Sequence, residues 1–308
     1  MIEKIQKDPH NFRVKMLYYQ SARDAMYDAV DQLVRNKGYS DIFIPGYIGL
    51  SPKEGSGIFD PLNKIQSLKR HYYRMTKKLE IDVDSLEDAL SDKSILLIVN
   101  YFGFRDKNIE RVIEIAKKHD CVIIEDNAHG FYTYFCNAPL STDITFFSFH
   151  KMLPFSSGGG LLILNDGLDL DLDKNRHGFI GLEPFAYDIN GIARKRKENY
   201  RFLMELVRGH EDCFFPLKDL DDIIMDVPQT FPLIIVRGDR DEIYSMLNDE
   251  GYGVVSLYHT MIDELQVETH EEAIWLSKHI LNLPVHQDCD TSEYPKMVGA
   301  LVKACSST

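Results

Sequence analysis

The sequence predicts an α/β fold, in which a largely parallel sheet is covered by helices and is followed by a smaller α+β domain. Short runs rich in Ile, Val, Leu and Phe alternate with amphipathic helical patterns. Several of these runs are apolar on both faces, which is typical of strands buried between two layers of helices. At 308 residues the chain is long enough for two domains of about 150 residues each. We predict a large domain over residues 1–190 and a small one over residues 191–308.

The strands of the large domain are predicted from short segments rich in β-branched and aromatic residues. They are "DIFIPGY" from Asp41, "SILLIVNYFG" from Ser94, "CVIIEDNAHG" from Cys121, "TFFSF" from Thr145 and "GLLILND" from Gly160. The segment "DKNIERVIEIAKKHD" carries apolar residues on one helical face and lies between the second and third of these strands. A βαβ unit is therefore expected there.

An earlier helix is predicted at "SARDAMYDAVDQLVRNKG". Ser21 and Asp24 have the spacing of a capping box, and Gly38 follows the last apolar position of the stripe. In the small domain we predict a helix from about Arg194 to Val207, a strand at "FPLIIVRG", a helix at "RDEIYSMLNDEG", a strand near "YGVVSLYH" and a last helix at "YPKMVGALVKA". The basic run "ARKRKENYR" is interpreted as a solvated helix face.

Composition excludes several classes of function. A net charge of −13 argues against nucleic acid or an anionic membrane surface as the main partner. No stretch of about 18 apolar residues occurs, and the start "MIEKIQKDPH" lacks the apolar core of a signal peptide, so a cytoplasmic location is expected. The five cysteines form no CxxC pair, and neither a disulfide framework nor a metal site is predicted.

Three features of the sequence are predicted to meet where ligands bind in an open parallel sheet, outside the carboxyl ends of its strands. They are the turn from Asp126 to His129, the segment from Ser148 to Lys151, and the N-terminus of the Ser21 helix. Each alone has a plainer interpretation, as a loop aspartate, a loop histidine or a surface lysine. Together, a lysine able to form a Schiff base, a carboxylate for a pyridinium nitrogen and a helix N-terminus for a phosphate match the needs of pyridoxal phosphate.

The segments "SARDAM", "IIEDNAHG", "FFSFHK…GGGLLILND" and "LNLPVHQD" resemble the DegT/DnrJ/EryC1/StrS family of sugar aminotransferases, a branch of the fold type I pyridoxal phosphate enzymes. The resemblance extends over nearly the whole chain. It implies a large domain with a mostly parallel sheet of the seven-stranded type, and a homodimer. It also implies transfer of an amino group from glutamate or glutamine to a nucleotide-linked keto sugar, in polysaccharide or amino-sugar biosynthesis.

The resemblance assigns roles to matching residues. Lys151 would form the Schiff base and act as the catalytic residue, Asp126 would face the pyridine nitrogen, and His129 would lie by the ring hydroxyl. Tyr47, in "PGYIG", would stack on the ring. The phosphate ligands implied are Ser148, Ser21, Ala22 and Arg23.

The chain departs from the family pattern around the lysine, where members commonly carry two more residues after the histidine of "SFH". Counting forward from His150 places Leu153 at the lysine position, whereas counting back from the glycines at 158 and 159 places Lys151 there. We choose the second register because Lys151 is the only lysine of the segment. The chain is also shorter than a typical member, and Asn190 is the nearest match to an asparagine that reaches the neighbouring subunit's phosphate site.

Two other classes of function stay open at this point. One is a homologue that keeps the fold without transaminase activity, because a fold does not fix a function. The other is a different enzyme on a doubly wound sheet. The sequence lacks G-x-x-x-x-G-K-[ST], a G-x-G-x-x-G that follows a strand, G-x-S-x-G and H-E-x-x-H, all of which would favour that class.

Overall fold

A large sheet of seven strands organises the first half of the chain. The computed structural model describes residues 15–50, 59–155, 158–165, 167–172 and 184–306. The strands are β1 (Lys15–Tyr19), β2 (Asp41–Pro45), β3 (Lys69–Tyr73), β4 (Ile95–Val99), β5 (Val122–Asp126), β6 (Ile144–Ser148) and β7 (Gly160–Leu164). Their order across the sheet is β1-β7-β6-β5-β4-β2-β3, and only β7 runs antiparallel to its neighbours. The predicted α/β class with a mostly parallel seven-stranded sheet is confirmed.

All five strands predicted from the sequence are present, and the two that were missed form the edges of the sheet. The sequence of β3, KRHYY, has basic residues where the central strands have apolar ones, so hydrophobic periodicity gave no signal for it. Charged residues on an edge strand discourage pairing with other chains. The sequence of β1, KMLYY, has a short run of strand-forming residues after its lysine, and that signal was overlooked.

The helices of the large domain are α1 (Ala22–Lys37), α2 (Phe59–Asn63), α3 (Val83–Ala89), α4 (Ile109–Lys118) and α5 (Phe131–Cys136). The two that were predicted, α1 and α4, begin and end close to the predicted positions, whereas α2, α3 and α5 were not predicted. Ser21 caps α1, its Oγ accepting the Asp24 N–H at 3.2 Å, and Gly38 ends the helix with a φ of 75°. As predicted, α4 connects β4 to β5.

The second half of the chain is built on a three-stranded antiparallel sheet in the order β10-β9-β8. Its strands are β8 (Phe214–Pro216), β9 (Thr230–Ile235) and β10 (Ile280–Pro284), and its helices are α6 (Ile189–Val207), α7 (Asp222–Met225), α8 (Arg240–Asp249), α9 (Val267–His279) and α10 (Tyr294–Ser306). One apolar core runs from Phe43 and Ile98 of the large sheet to Phe231 and Leu233 of the small sheet. The two sheets are therefore joined through buried side chains.

Two predictions for this half are wrong. No strand forms at "YGVVSLYH", where Val255 makes only an isolated bridge to Asn282 and Tyr258 has a left-handed φ of 62°. The run "ARKRKENYR" is not wholly solvated, because Arg196 is only 1% exposed. Its guanidinium donates to the side chain of Gln287 at 3.0 Å and lies 5.0 Å from the centroid of the Tyr132 ring. A buried polar anchor on α6 thus looks like surface charge when only the sequence is read.

None of the helices in the described part of the chain is long and apolar enough to cross a membrane.

Candidate active site

The chemically active side chains predicted from the sequence meet at the carboxyl ends of β5 and β6. Asp126 is the last residue of β5, and a short 3-10 turn from Phe149 to Lys151 directly follows β6. The Lys151 Nζ lies 3.2 Å from Nε2 of His129, in the turn before α5. The register counted back from the glycines therefore brings a lysine to Asp126 and His129. Leu153, the candidate of the other register, is buried in an apolar cluster with Phe131, Phe149 and Met152.

Asp126 is a buried carboxylate at the floor of this site. It is 4% exposed, and its Oδ1 accepts the Ala128 N–H at 2.7 Å. Burial raises the pKa of Asp126 to about 6, although the Ala128 N–H and the nearby Lys151 oppose that rise. A cationic group that binds beside Asp126 would therefore favour its ionised carboxylate.

Lys151 and His129 are both shifted toward their neutral forms. Burial lowers the pKa of Lys151, and the positive charge of Arg23 adds to this effect, whereas Asp126 opposes it. Burial also lowers the pKa of His129, and the Lys151 charge acts in the same direction. A lysine with a lowered pKa has a larger share of free amine at neutral pH, which is the nucleophilic form.

The predicted phosphate ligands come together where β6, β7 and the start of α1 meet. Ser148 pairs with Gly160 across the β6–β7 ladder. A Cβ placed on Gly160 would lie 2.6 Å from the backbone nitrogen of Ala22 and 2.7 Å from the carbonyl oxygen of Ser21, so only glycine allows this approach. Ser148, Ser21 and Ala22 are therefore neighbours at a helix N-terminus, where backbone N–H groups favour an anion.

Arg23 and Ser21 have local partners as well. The Arg23 guanidinium forms an exposed ion pair with Asp60 at 3.2 Å. The Ser21 Oγ both accepts the Asp24 N–H and donates to the Asp24 carboxylate at 2.7 Å. The Ser148 Oγ lies 3.2 Å from Nδ1 of His150. Binding of phosphate by these residues stays a prediction.

Tyr47 lies in an aromatic cluster made of Tyr47, Tyr101, Phe102, Tyr258 and His129. Its ring centroid is 5.3 Å from Tyr101 and 5.2 Å from Tyr258, and its carbonyl oxygen accepts the Tyr101 hydroxyl at 2.5 Å. Phe102 lies nearly parallel to the His129 ring, with centroids 6.2 Å apart. Tyr47 thus contributes to the wall beside His129, and its stacking on a cofactor ring stays a prediction.

Three members of this cluster, Tyr101, Phe102 and Tyr258, were not predicted from the sequence. Tyr101 and Phe102 follow directly after β4, so their place at the carboxyl end of a predicted strand was a usable signal. Tyr258 comes from the small domain, and its loop reaches the large domain through hydrogen bonds of Leu50 to Thr260 and of Ile262 to Ile48. No local pattern in the sequence indicates such a crossover.

A polar network supports the end of β5 from behind. Glu125 is fully buried and accepts hydrogen bonds from Asn100 Nδ2 at 2.8 Å and Thr145 Oγ1 at 3.3 Å. Burial raises the pKa of Glu125. Asn100 Nδ2 also donates to Asn127 Oδ1 at 2.7 Å, which ties β4 to the turn after Asp126. The Asp126 backbone is therefore fixed by buried hydrogen bonds on the side away from Lys151.

Asn190 lies in the first turn of α6, where its Oδ1 is 3.7 Å from the thiol of Cys136. Its proposed reach toward a partner's phosphate site stays a prediction. Within the described ranges, no three His, Cys, Asp or Glu side chains cluster as metal ligands would.

Comparison with known proteins supports the resemblance found in the sequence. The sequence model of the DegT/DnrJ/EryC1/StrS aminotransferase family matches residues 75–201. The spore coat polysaccharide biosynthesis protein SpsC of Bacillus subtilis (strain 168) is 28% identical over 152 residues, which cover 47% of this chain and 39% of SpsC. The uncharacterized protein MJ1066 of Methanocaldococcus jannaschii is 24% identical over 173 residues, 55% of this chain and 42% of that protein. The matched segments thus span about two-fifths of the length of these relatives.

Solved structures show the same fold over nearly the whole chain. Helicobacter pylori PseC, an aminotransferase involved in the biosynthesis of pseudoaminic acid, has a TM-score of 0.72 and 16% identity, covering 95% of this chain and 87% of PseC. The E. coli GDP-4-keto-6-deoxy-D-mannose-3-dehydratase with bound hydrated PLP has a TM-score of 0.70 and 16% identity, covering 93% and 87%. DesI, in the presence of its TDP-sugar product, has a TM-score of 0.73 and 16% identity, covering 94% and 80%. These structures confirm the predicted fold, and the family model confirms the predicted resemblance over residues 75–201.

Proposed function

We propose that this chain, which matches the DegT/DnrJ/EryC1/StrS aminotransferase family over residues 75–201, is a pyridoxal phosphate dependent aminotransferase of a nucleotide-linked keto sugar. One observation carries the proposal. The Lys151 amine lies 3.2 Å from His129 Nε2 and within electrostatic reach of the buried Asp126, at the carboxyl ends of two parallel strands. A lysine with a lowered pKa next to one carboxylate is the arrangement that this chemistry requires.

The residues at the site fit the chemical groups of pyridoxal phosphate. Lys151 offers an amine for the aldehyde, and Asp126 offers a carboxylate for a protonated ring nitrogen. The Ser148 hydroxyl and the first backbone N–H groups of α1, beginning at Ala22, suit a phosphate. When bound, the cofactor would supply a ring that accepts the electron pair released at the substrate α-carbon.

Each protein residue then has a defined task. Lys151 would hold the cofactor's aldehyde through its amine and, when free, would accept a proton at the α-carbon of the amino donor as a general base. Its lowered pKa makes the free amine available for both tasks. Asp126, with a pKa of about 6, is largely ionised at neutral pH and would keep the ring nitrogen of the cofactor protonated through charge attraction. Burial of both groups strengthens that attraction, because the local dielectric is lower than in water.

The substrate class of the proposal rests on the relatives. PseC is an aminotransferase of pseudoaminic acid biosynthesis, DesI was solved with a TDP-sugar product, and SpsC belongs to spore coat polysaccharide biosynthesis. We propose for this chain a keto sugar nucleotide as amino acceptor and glutamate or glutamine as amino donor. A homodimer located in the cytoplasm completes the proposal.

A second candidate is a homologue that binds the cofactor without catalysing transamination. The specific observation in its favour is the E. coli dehydratase, which shares the fold and acts on a GDP-linked keto sugar without being named a transaminase. The short connection between Ser148 and Lys151 is also a departure from the family pattern. In this case Lys151 still binds pyridoxal phosphate, but no amino donor is turned over.

The first experiment is cofactor attachment. Purified protein is mixed with pyridoxal phosphate, the visible absorption spectrum is recorded, and the adduct is fixed by borohydride and located by peptide mapping. We expect a yellow species and a label on Lys151, and neither in Lys151→Ala. Lys117→Ala, which changes an exposed lysine on α4, serves as the matched control. A label on another lysine, or no coloured species, would remove the proposed function.

Turnover distinguishes the two candidates. Loaded protein is incubated with glutamate or glutamine, and loss of the yellow species is followed together with 2-oxo acid formation. Conversion by either donor, followed by restoration with a keto sugar nucleotide, supports the aminotransferase. Attachment without conversion by any amino donor supports the second candidate.

A further inference from the structure

The turn that follows β4 holds an unusual backbone conformation directly beside His129. Phe102 has a φ of 57°, a left-handed value that is uncommon for an aromatic residue, and Gly103 has a φ of 93°. A Cβ on Gly103 would lie 2.4 Å from the Val227 carbonyl oxygen, so this position needs glycine. Strained backbone persists only where the surrounding structure fixes it.

The surroundings of this turn do fix it. The Phe102 carbonyl oxygen accepts the Gln229 N–H at 2.7 Å, and the Gly103 carbonyl oxygen accepts the Thr133 hydroxyl at 2.6 Å. The Phe102 ring lies nearly parallel to His129, at an interplanar angle of 18°. The turn is thus held from the small domain and from α5, and this arrangement directs the N–H of Phe102 toward the imidazole.

That N–H donates to Nδ1 of His129 at 3.4 Å. A backbone N–H can only donate, so Nδ1 of the imidazole must carry a lone pair rather than a proton. A neutral imidazole with a bare Nδ1 carries its proton on Nε2. The Nε2 is the atom that lies 3.2 Å from the Lys151 Nζ.

We infer that the Phe102 turn locks His129 in its Nε2–H tautomer, so that the imidazole donates a hydrogen bond to a neutral Lys151 amine in the cofactor-free protein. The inference deepens the proposed function, on which its purpose rests. His129 is then a positioning residue that holds the lysine unprotonated and oriented by its lone pair. The strained turn selects this tautomer by aiming the N–H of Phe102 at Nδ1 of His129.

The other protonation states conflict with the geometry. If the Lys151 ammonium donated to Nε2, the neutral imidazole would carry its proton on Nδ1, and two N–H groups would face each other at the 3.4 Å contact with Phe102. An imidazolium would have the same conflict. Leaving a buried donor without an acceptor is unfavourable.

The charged groups around the pair act in both directions. Asp126 favours the protonated amine, whereas Arg23 disfavours it, and among the described residues His150 and Tyr258 are further titratable side chains nearby. Burial lowers the pKa of both Lys151 and His129. The direction of both shifts agrees with two neutral partners.

The tautomer can be observed directly. The full chain, freed of pyridoxal phosphate and labelled with ¹⁵N-histidine, is examined by long-range ¹H–¹⁵N NMR, with His129→Gln identifying the signal of His129. We expect a protonated Nε2 and a bare Nδ1 at neutral pH. A protonated Nδ1, alone or together with a protonated Nε2, overturns the inference.

The pKa of Lys151 gives a second measurement, in which the inference predicts the direction of the change. The rate of Lys151 labelling by trinitrobenzenesulfonate is measured against pH in the cofactor-free chain. In His129→Leu the donor is lost, so the pKa of Lys151 should rise and labelling at neutral pH should slow by about threefold or more. Leucine adds only desolvation, which would lower the pKa, so an increase has to come from the lost donor. His129→Gln, whose amide can donate, should stay near the original rate, and a lowered pKa in His129→Leu overturns the inference.

Both measurements are made without cofactor or substrate, and their outcome is separable from that of the proposed function. An Nε2–H tautomer in a protein that never attaches pyridoxal phosphate leaves this inference in place and removes the proposed function. Attachment to Lys151 in a protein with an Nδ1–H tautomer does the reverse.

Discussion

The Lys151 region and the Lys218 region share the same kinds of residues but arrange them differently. Each places a lysine near an aspartate whose pKa is raised to about 6 by burial, Asp126 in one region and Asp106 in the other. Lys218 is 4% exposed, and its Nζ lies 3.4 Å from a carboxylate oxygen of Glu80. Lys151 is half-buried, and its contact is the imidazole of His129.

The partners of the two aspartates differ in the same way. Asp106 accepts the backbone N–H of Ile81 with one oxygen and that of Asn108, at 2.7 Å, with the other. Asp126 accepts one backbone N–H, that of Ala128. The Lys218 cluster therefore joins two parts of the fold through a direct ion pair. Lys151 contacts an imidazole instead, and its lowered pKa and the raised pKa of Asp126 are typical of a functional site.

The largest effect is expected on cofactor attachment. Lys151→Met should abolish covalent attachment of pyridoxal phosphate and turnover, because no other amine lies beside Asp126 among the described residues. Lys218→Met should keep attachment in the fraction that remains folded, since Lys218 faces Glu80. Borohydride trapping with peptide mapping measures both. Attachment retained by Lys151→Met would contradict the proposal that Lys151 is the residue that binds the cofactor.

The free energy of unfolding should show the reverse order. Lys218→Met leaves Glu80 without its partner in a nearly buried place, and we expect a loss of about 3 kcal/mol at pH 7. The loss should shrink on acidification as Asp106, whose pKa burial raises to about 6, becomes protonated. Burial lowers the pKa of Lys151, so its charged form is unfavourable in the folded protein. Lys151→Met should therefore leave the stability of the cofactor-free protein unchanged or slightly raise it. Urea unfolding at several pH values tests the pair, and equal losses in both variants would contradict the contrast.

Burial of the ionised Asp126 side chain should lower the free energy of unfolding at neutral pH. Its pKa in the folded protein is about 6 against an ordinary 3.8, so the folded state binds this proton more tightly than the unfolded chain does. Stability contributed by the protonated form is therefore lost as the pH rises from about 4 to 6. Asp126→Asn does not titrate, and above pH 6 it should be more stable than the parent by about 2 to 3 kcal/mol, with little difference below pH 4.

The matched control for this measurement is Asp84→Asn, whose parent side chain is 86% exposed and should give a small difference at every pH. A flat, near-zero difference for Asp126→Asn would mean that the buried carboxylate carries no such cost. The same variant should bind pyridoxal phosphate with a weaker electron-accepting ring and turn over more slowly.

The fold was largely predictable because the buried strands have a strong signal in the sequence. The central strands β2, β4, β5, β6 and β7 are continuous apolar runs, and the capped helix α1 has a clear start and stop. The edge strand β3 was missed because basic residues interrupt its apolar pattern, whereas the short run MLYY of β1 was a usable signal that was overlooked. The strand predicted near Tyr258 does not form, although the segment is apolar. Tyr258 packs against Tyr47 and Tyr101 instead, so apolar residues that make tertiary contacts were mistaken for a strand.

The site was predictable where it depends on strand ends and not where it depends on long-range contacts. Asp126 ends β5, and His129 and Lys151 each lie three residues beyond the end of a strand, so the topology alone brings them together. The hydrogen bond from Phe102 to His129 depends on a left-handed turn held by Gln229 of the small domain. A contact between residues so far apart in the chain leaves no periodic trace in the sequence.

The smallest effect is expected from Arg23, which acts on Lys151 only through space. Burial is the main cause of the lowered pKa of Lys151, and the Arg23 charge adds to it. The Arg23 side chain is 60% exposed and paired with Asp60, so water and salt screen its effect. Arg23→Ala should raise the pKa of Lys151 slightly and slow its labelling at neutral pH by less than about twofold, with the difference fading at high salt. Arg111→Ala, an exposed arginine on α4 paired with Asp84, should change nothing. A large drop in Arg23→Ala that persists at high salt would show that Arg23 holds the site by direct contact, and the low pKa of Lys151 would then come from a neighbour more than from burial.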